Sequence, residues 1–311
     1  MQNVAIIDMG TNTFHLLIAK VEGGKHHVLL NEKHAVGLGR GGITDGLLSE
    51  EAMDRAMKAL HFFKGLCDQF KVNRVVITGT SAVRSARNQS TYIHRIKEEL
   101  NWDVIVLTGE EEAMGIYEGV SAAVNIPHEN ALIVDIGGGS VEFILCRAQE
   151  GILWKQSFEI GGQRLMDKFH HHEPIAVHEK EKIEAFLTEQ LKPLLKAVHD
   201  FGGVHVLVGS SGSFDTLVDM YCAELQHTLA PEASSFSLPI DAYRRIAVSL
   251  FKKKKAERLA IPGMIPLRVD MIVVALVLID WLIEQLEIEK IDVSFYALKE
   301  GLLKGIVGSM Q

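Results

Sequence analysis

Val4-Ala5-Ile6-Ile7-Asp8-Met9-Gly10-Thr11-Asn12-Thr13-Phe14-His15-Leu16-Leu17-Ile18-Ala19 and Ala131-Leu132-Ile133-Val134-Asp135-Ile136-Gly137-Gly138-Gly139-Ser140-Val141-Glu142-Phe143-Ile144 follow one plan. In each, a short apolar strand ends in aspartate, a glycine-containing turn follows, and a second apolar strand leaves it. The repetition indicates an internal duplication of one half-fold. Outward from the first copy, residues 28–36 read as a third strand. Residues 49–70 place Met53, Met57, Leu60, Phe63 and Leu66 at helical spacing behind an N-cap Ser49. A strand at 75–78, a helix at 91–100, a strand at 104–107 and a helix at 110–124 complete the half. Strands alternating with helices give an α/β class.

The second copy begins after a linker at 125–130. It continues with a helix at 179–199, a strand at 204–208 and the turn Gly209-Ser210-Ser211-Gly212-Ser213. Helices at 241–251, 269–286 and 298–307 follow. Two domains are expected, 1–124 and 125–311, with the C-terminal helix (about 297–311) returning to the first. A chain of 311 residues is long enough for both.

Composition narrows the function. Hydrophobic residues make up 47% and charged residues 23%, enough apolar material for two cores and too much for a disordered chain. With 32 Lys and Arg against 40 Asp and Glu, the net charge is −8, which argues against a nucleic-acid-coating protein but leaves room for a local anion site. The longest apolar run, 271–279, is broken by Asp280 and is too short to span a membrane. The chain opens directly into a strand without a signal-like segment. Cys67, Cys146 and Cys222 stand far apart in apolar contexts, without zinc or redox spacing. A cytoplasmic protein with no membrane partner is expected.

The turns carry the chemistry. Glycine brings successive N–H groups close to a ligand, and such nests favour anions. Thr11, Thr13 and Ser140 add hydroxyl donors. A carboxylate at the strand end cannot bind phosphate directly, but it can hold a hydrated Mg²⁺ that phosphate shares. The third turn opens a helix, whose N-terminus is an anion site in its own right. Thr78-Gly79-Thr80-Ser81-Ala82-Val83-Arg84 ends a strand and presents the planar donor fork of Arg84. Thr108 and Glu111 form a capping-box pair at the head of the next helix. His170-His171-His172 and His178 read as loop histidines, and Lys252 to Lys255 as a solvated helix end.

Residues 8–19 resemble the first signature of the exopolyphosphatase and guanosine pentaphosphate phosphatase family. Residues 78–84, Gly109-Glu110-Glu111-Glu112-Ala113, residues 134–142, Gly161-Gly162-Gln163-Arg164-Leu165, residues 209–213 and Leu298-Lys299-Glu300-Gly301-Leu302 are similar to its later signatures, in order. The resemblance implies a duplicated actin, hexokinase and Hsp70-like (ribonuclease H-like) fold with a central interdomain cleft, of the short two-domain type. It implies Mg²⁺-dependent hydrolytic release of terminal phosphate from inorganic polyphosphate, or of the 5′ γ-phosphate of guanosine pentaphosphate. An ATPase or kinase of the wider class and a catalytically weak phosphate or alarmone sensor are the rival expectations. Many members are homodimers.

By the same resemblance Glu112 is the general base, Glu142 an acid near metal or water, and Arg84 the group that neutralises charge on the transferring phosphoryl. Asp8 and Asp135 hold Mg²⁺. Gly10, Thr11, Asn12 and Thr13, then Gly137, Gly138, Gly139 and Ser140, then Gly209, Ser210, Ser211 and Gly212 cradle phosphate. Two departures bear on substrate choice: Ser294-Phe295-Tyr296 replaces the usual Ser-Asp-Gly, and Arg268-Val269-Asp270 replaces Arg-Ala-Asp.

Overall fold

The computed structural model describes residues 2–230 and 232–309. The first half contains β1 (Gln2–Met9), β2 (Thr13–Glu22), β3 (Lys25–Ala35), α1 (Glu50–Gln69), β4 (Arg74–Gly79), α2 (Ser81–Ser85), α3 (Gln89–Leu100), β5 (Val104–Val106) and α4 (Gly109–Ala123). The second begins with β6 (Ala131–Ile136), β7 (Val141–Arg147), β8 (Gly151–Phe158), α5 (Gly162–Phe169), α6 (Val177–Gln190), α7 (Lys192–Asp200), β9 (Val206–Ser210) and α8 (Gly212–Glu224). It continues through β10 (Ser235–Leu238), α9 (Ile240–Phe251), α10 (Lys255–Leu259), α11 (Ile272–Leu286) and β11 (Lys290–Ser294), and α12 (Leu298–Ser309) ends the chain's described part.

Both sheets are mixed. The first has the order β3-β2-β1-β4-β5 and the second β8-β7-β6-β9-β11-β10. In each, an antiparallel three-strand meander leads into parallel pairings. The orders coincide strand for strand, apart from the extra β10 at the edge of the second. The α/β class and the duplication are therefore facts of topology. Contacts divide the chain into one compact unit of Met1–Gly119, Gly137–Gly139 and Leu298–Gln311, and another of Val120–Ile136 and Ser140–Ala297.

The central strands read as continuous apolar runs because both faces are covered; every residue of β6 is buried. β3, at a sheet edge, is exposed along most of its length and carries Lys25, His26, His27 and Lys33, which discourage pairing with another chain. Ser49 caps α1 by accepting from the Ala52 amide at 3.2 Å. The core of the second unit surrounds α11, whose residues are buried on nearly all sides. Among the described residues, no helix is long and apolar enough to cross a membrane.

Several elements differ from the sequence expectation. The helix expected over 179–199 is two, α6 and α7, because Pro193 in the first turn of α7 has no N–H to continue the ladder. Strand β9 runs on through Gly209 and Ser210, so the third turn shrinks to Ser211 before α8 starts at Gly212. β8 and β11 were not anticipated at all.

In the first unit, α12 covers one face of the sheet, where Leu303, Ile306 and Val307 pack with Val4, Ile6, Leu17 and Val21. A Cβ on Gly301 would overlap the Gly115 carbonyl of α4, so the two helices meet backbone to backbone. Gly301→Ala is expected to lose about 2 kcal/mol in urea unfolding, since overpacking of this kind costs ~1–3 kcal/mol and exceeds the ~1 kcal/mol gain in helix propensity. An unchanged urea midpoint would show that α12 tolerates being pushed away from α4.

Candidate active site

In the first unit, the register places Asp8 beside His15 of β2 and beside Thr78 of β4. The turn after β1 is pinned from a neighbouring segment. The Val36 and Gly37 amides donate to the Asn12 carbonyl at 3.0 and 2.9 Å, and the Gly39 amide to the Thr11 carbonyl at 2.9 Å. Thr11, Asn12 and Thr13 are all buried. The Gly137–Gly139 turn belongs to this unit as well. A Cβ on Gly139 would lie 2.6 Å from Thr11 Oγ1 and overlap Ser81 Oγ, and one on Gly138 would overlap Asn12 Nδ2. Glycine backbone thus lies directly on hydroxyl and amide groups, which concentrates donors in one place.

Arg84, on the short α2, donates from Nη1 to the Leu107 carbonyl at 3.1 Å and to Glu112 Oε2 at 2.6 Å. Their side chains are only 19% and 9% exposed, so the ion pair is sheltered from water. Glu112 sits in the first turn of α4, where the positive end of the helix dipole also favours a carboxylate. Its neighbour Glu111 has a different job. Glu111 accepts from the Thr108 amide and hydroxyl at 2.8 and 2.9 Å, bonds that hold its carboxyl below the usual range. The Glu111 amide donates back to Thr108 Oγ1 at 3.2 Å, completing the expected capping box.

The second unit repeats the arrangement with different side chains. Asp135 pairs in register with Glu142 of β7 and with Ser210 of β9, so Glu142 stands where His15 stands in the first sheet. Ser210 Oγ donates to Asp135 Oδ2 at 3.1 Å, and Ser157 Oγ of β8 to Glu142 Oε1 at 2.6 Å. Both carboxylates are buried, as is Ser140. Burial pushes the Asp135 carboxyl up, against hydrogen bonds from Ser211 and Ser210; the charge of Asp215 works with burial and that of Arg268 against it. Adjacent buried carboxylates resist joint ionisation. Such a hard oxygen set fits a divalent cation that accepts carboxylate and water ligands, as Mg²⁺ does.

Ser211 holds φ +72° and ψ 174°, a region that side chains other than glycine seldom occupy. That backbone strain lies at the entrance of α8, whose first amides have no intrahelical partner by construction. Arg268 packs over Gly212 at the same place. It is 7% exposed, and its Nε has no hydrogen-bond partner among the described residues. Burial works against its charge, while Asp215 and Asp135 favour it. A guanidinium that stays ionised with an unmet donor is suited to an anion.

The sequence reading missed the parts played by Arg268, Asp215, Ser157 and Ser81. Arg268 was named only within the Arg268-Val269-Asp270 segment; its place as a charge directly before the most apolar helix of the chain was a second signal. Ser157 had none, since its strand was not recognised.

The Ppx/GppA phosphatase family matches residues 17–310. An exopolyphosphatase from Cytophaga hutchinsonii ATCC 33406 is 46% identical, covers 99% of this chain and 98% of its own, and superposes with a TM-score of 0.95. The Aquifex aeolicus member of the Ppx/GppA family is 26% identical over 100% of this chain and 99% of its own, with a TM-score of 0.80. The chain belongs to the Ppx/GppA phosphatase family and is a phosphoanhydride hydrolase.

Proposed function

We propose that this chain is an Mg²⁺-dependent exopolyphosphatase that removes the terminal phosphate of inorganic polyphosphate. The observation that carries the substrate assignment is the 46% identity, over 99% of the chain, to the Cytophaga hutchinsonii exopolyphosphatase. The side chains supply the chemistry in separate shares. Glu112 takes a proton from the attacking water as the new P–O bond forms and the terminal P–O–P bond breaks. The leaving group is the polyphosphate chain shortened by one unit, whose new terminal oxygen departs as a weakly basic anion that needs no proton from the protein. Arg84 and Arg268 oppose the charge on the phosphoryl oxygens.

Gly10 to Thr13, Gly137 to Ser140 and Gly209 to Gly212 contribute backbone and hydroxyl donors to phosphate. Asp8 and Asp135 would hold Mg²⁺, and Glu142 would orient a water beside it. When bound, the ion would supply charge neutralisation to the substrate. The three free, buried cysteines support a cytoplasmic setting.

The test is phosphate release with Mg²⁺ from long-chain polyphosphate, guanosine pentaphosphate and ATP side by side. The expected result is preferential release from polyphosphate, abolished by EDTA and restored by Mg²⁺. Preference for guanosine pentaphosphate would keep every residue in its role and move the substrate. Turnover of ATP alone, or tight binding without turnover, would overturn the assignment.

A further inference from the structure

The loop between α5 and α6 carries histidines that the phosphohydrolase chemistry does not use. We propose that His172, His178 and Glu179 bind one divalent transition-metal ion of the zinc, cobalt or nickel type. One ligand atom from each of the three lies within 4.8 Å of the others. The anchor is Glu179, whose side chain is 2% exposed. Its Oε2 accepts from the Ala176 amide at 2.9 Å, and its Oε1 from the His171 amide at 2.8 Å, so both ends of the loop are tied to it. The same Oε1 lies 2.8 Å from His172 Nδ1. That is a hydrogen-bond distance; two ligands at about 2.1 Å from a tetrahedral ion stand about 3.4 Å apart, so a small outward shift of the His172 ring admits the ion.

A metal ion would replace the proton that now joins His172 to Glu179. The ring of His178 stands edge-on to that of His172, with centroids 5.7 Å apart. Both histidines are exposed, so χ rotation of the His178 ring closes the remaining gap while the buried carboxylate stays in place. His172 also lines a cavity of about 300 Å³ shared with His170, His171 and Asp270, which gives coordinating water room and the ion a way in. His170 has 5% of its side chain exposed, and its buried Nε2 lies 3.6 Å from Glu173 Oε1, beyond hydrogen-bond distance.

Donor type sets the ion. Imidazole nitrogen with one carboxylate suits borderline ions and not Mg²⁺, so the two metals do not compete. The positive end of the α6 dipole opposes any cation and weakens the affinity by about two- to five-fold. Binding would clip the 170–176 loop to α6 and raise the thermal midpoint.

The experiment uses tag-free full-length protein stripped of metal, titrated with Zn²⁺ by calorimetry and with Co²⁺ by visible absorption, in the presence of excess Mg²⁺. One ion per chain is expected, with d–d bands of mixed nitrogen and oxygen ligation. The His172→Ala/His178→Ala variant should bind at least about ten-fold more weakly and lose the metal-dependent rise in thermal midpoint. The double variant also loses the His172–Glu179 hydrogen bond, so its metal-dependent rise is read against its own metal-free midpoint, and His178→Gln, which leaves that bond intact, should keep the parent's metal-free midpoint and show an intermediate affinity. Absence of binding to the parent, or equal binding by the double variant, would overturn the site.

Discussion

Glu112→Gln is expected to lower kcat on polyphosphate by about 10²–10⁴-fold, the range over which a positioned general base accelerates proton transfer. The amide keeps the size and most of the hydrogen bonding of the carboxylate. The contact with Arg84 Nη1, now 2.6 Å to an ionised oxygen, would persist as a weaker neutral one. Binding should therefore hold, and the loss should fall on kcat with KM little changed. Single-turnover phosphate release, with filter binding of labelled polyphosphate, separates the two. Normal turnover would remove Glu112 from the base role and leave it as the partner that orients Arg84.

Arg258→Met is expected to destabilise the second unit by about 3 kcal/mol, at the low end of the ~3–5 kcal/mol for stranding one partner of a buried pair. Arg258 is 0% exposed. Its two Nη groups grip both oxygens of Glu173 at 2.8 Å, while Nη1 also reaches the Lys253 carbonyl at 2.7 Å and Nε the Val269 carbonyl at 3.0 Å. Methionine fills much of the volume but leaves those acceptors without a donor. Glu173 is partly exposed and can rehydrate, which sets the estimate at the lower end. Val269 follows Arg268 in sequence, so activity should fall with stability. Guanidinium unfolding of the parent, Arg258→Met and Arg258→Met/Glu173→Leu tests this. The double variant should recover part of the loss; an unchanged single-variant midpoint would mean that the clamp contributes nothing.

How much of this was legible in the chain depended on whether its cause was local. The turns after Asp8 and Asp135 stood out because polar residues ending apolar strands violate the surrounding pattern. The Thr108–Glu111 cap was readable for the same reason, its partners being three residues apart. Strand β8 was not readable, because Gly151–Phe158 is half-buried along most of its length and shows no alternation. β11 was missed because Lys290 and Asp292 break up the apolar residues of its five-residue span.

Buried charges were the least visible. Arg258 follows Lys252 to Lys255, a run that reads as solvated surface, yet its partner Glu173 is 85 residues away. The side-by-side placement of Asp135 and Glu142 needed the strand register, and the support of Glu142 by Ser157 needed a strand the pattern concealed.

The return of α12 to the first unit sets an order on synthesis. Residues of the second unit all emerge from the ribosome before Leu298, so that unit can finish folding while the first is still missing a helix. Until α12 is made, Val4, Ile6, Leu17 and Val21 have no Leu303, Ile306 or Val307 to cover them. The half of the chain that is translated first is therefore the half that is completed last, and its uncovered sheet face is what a nascent-chain chaperone would meet.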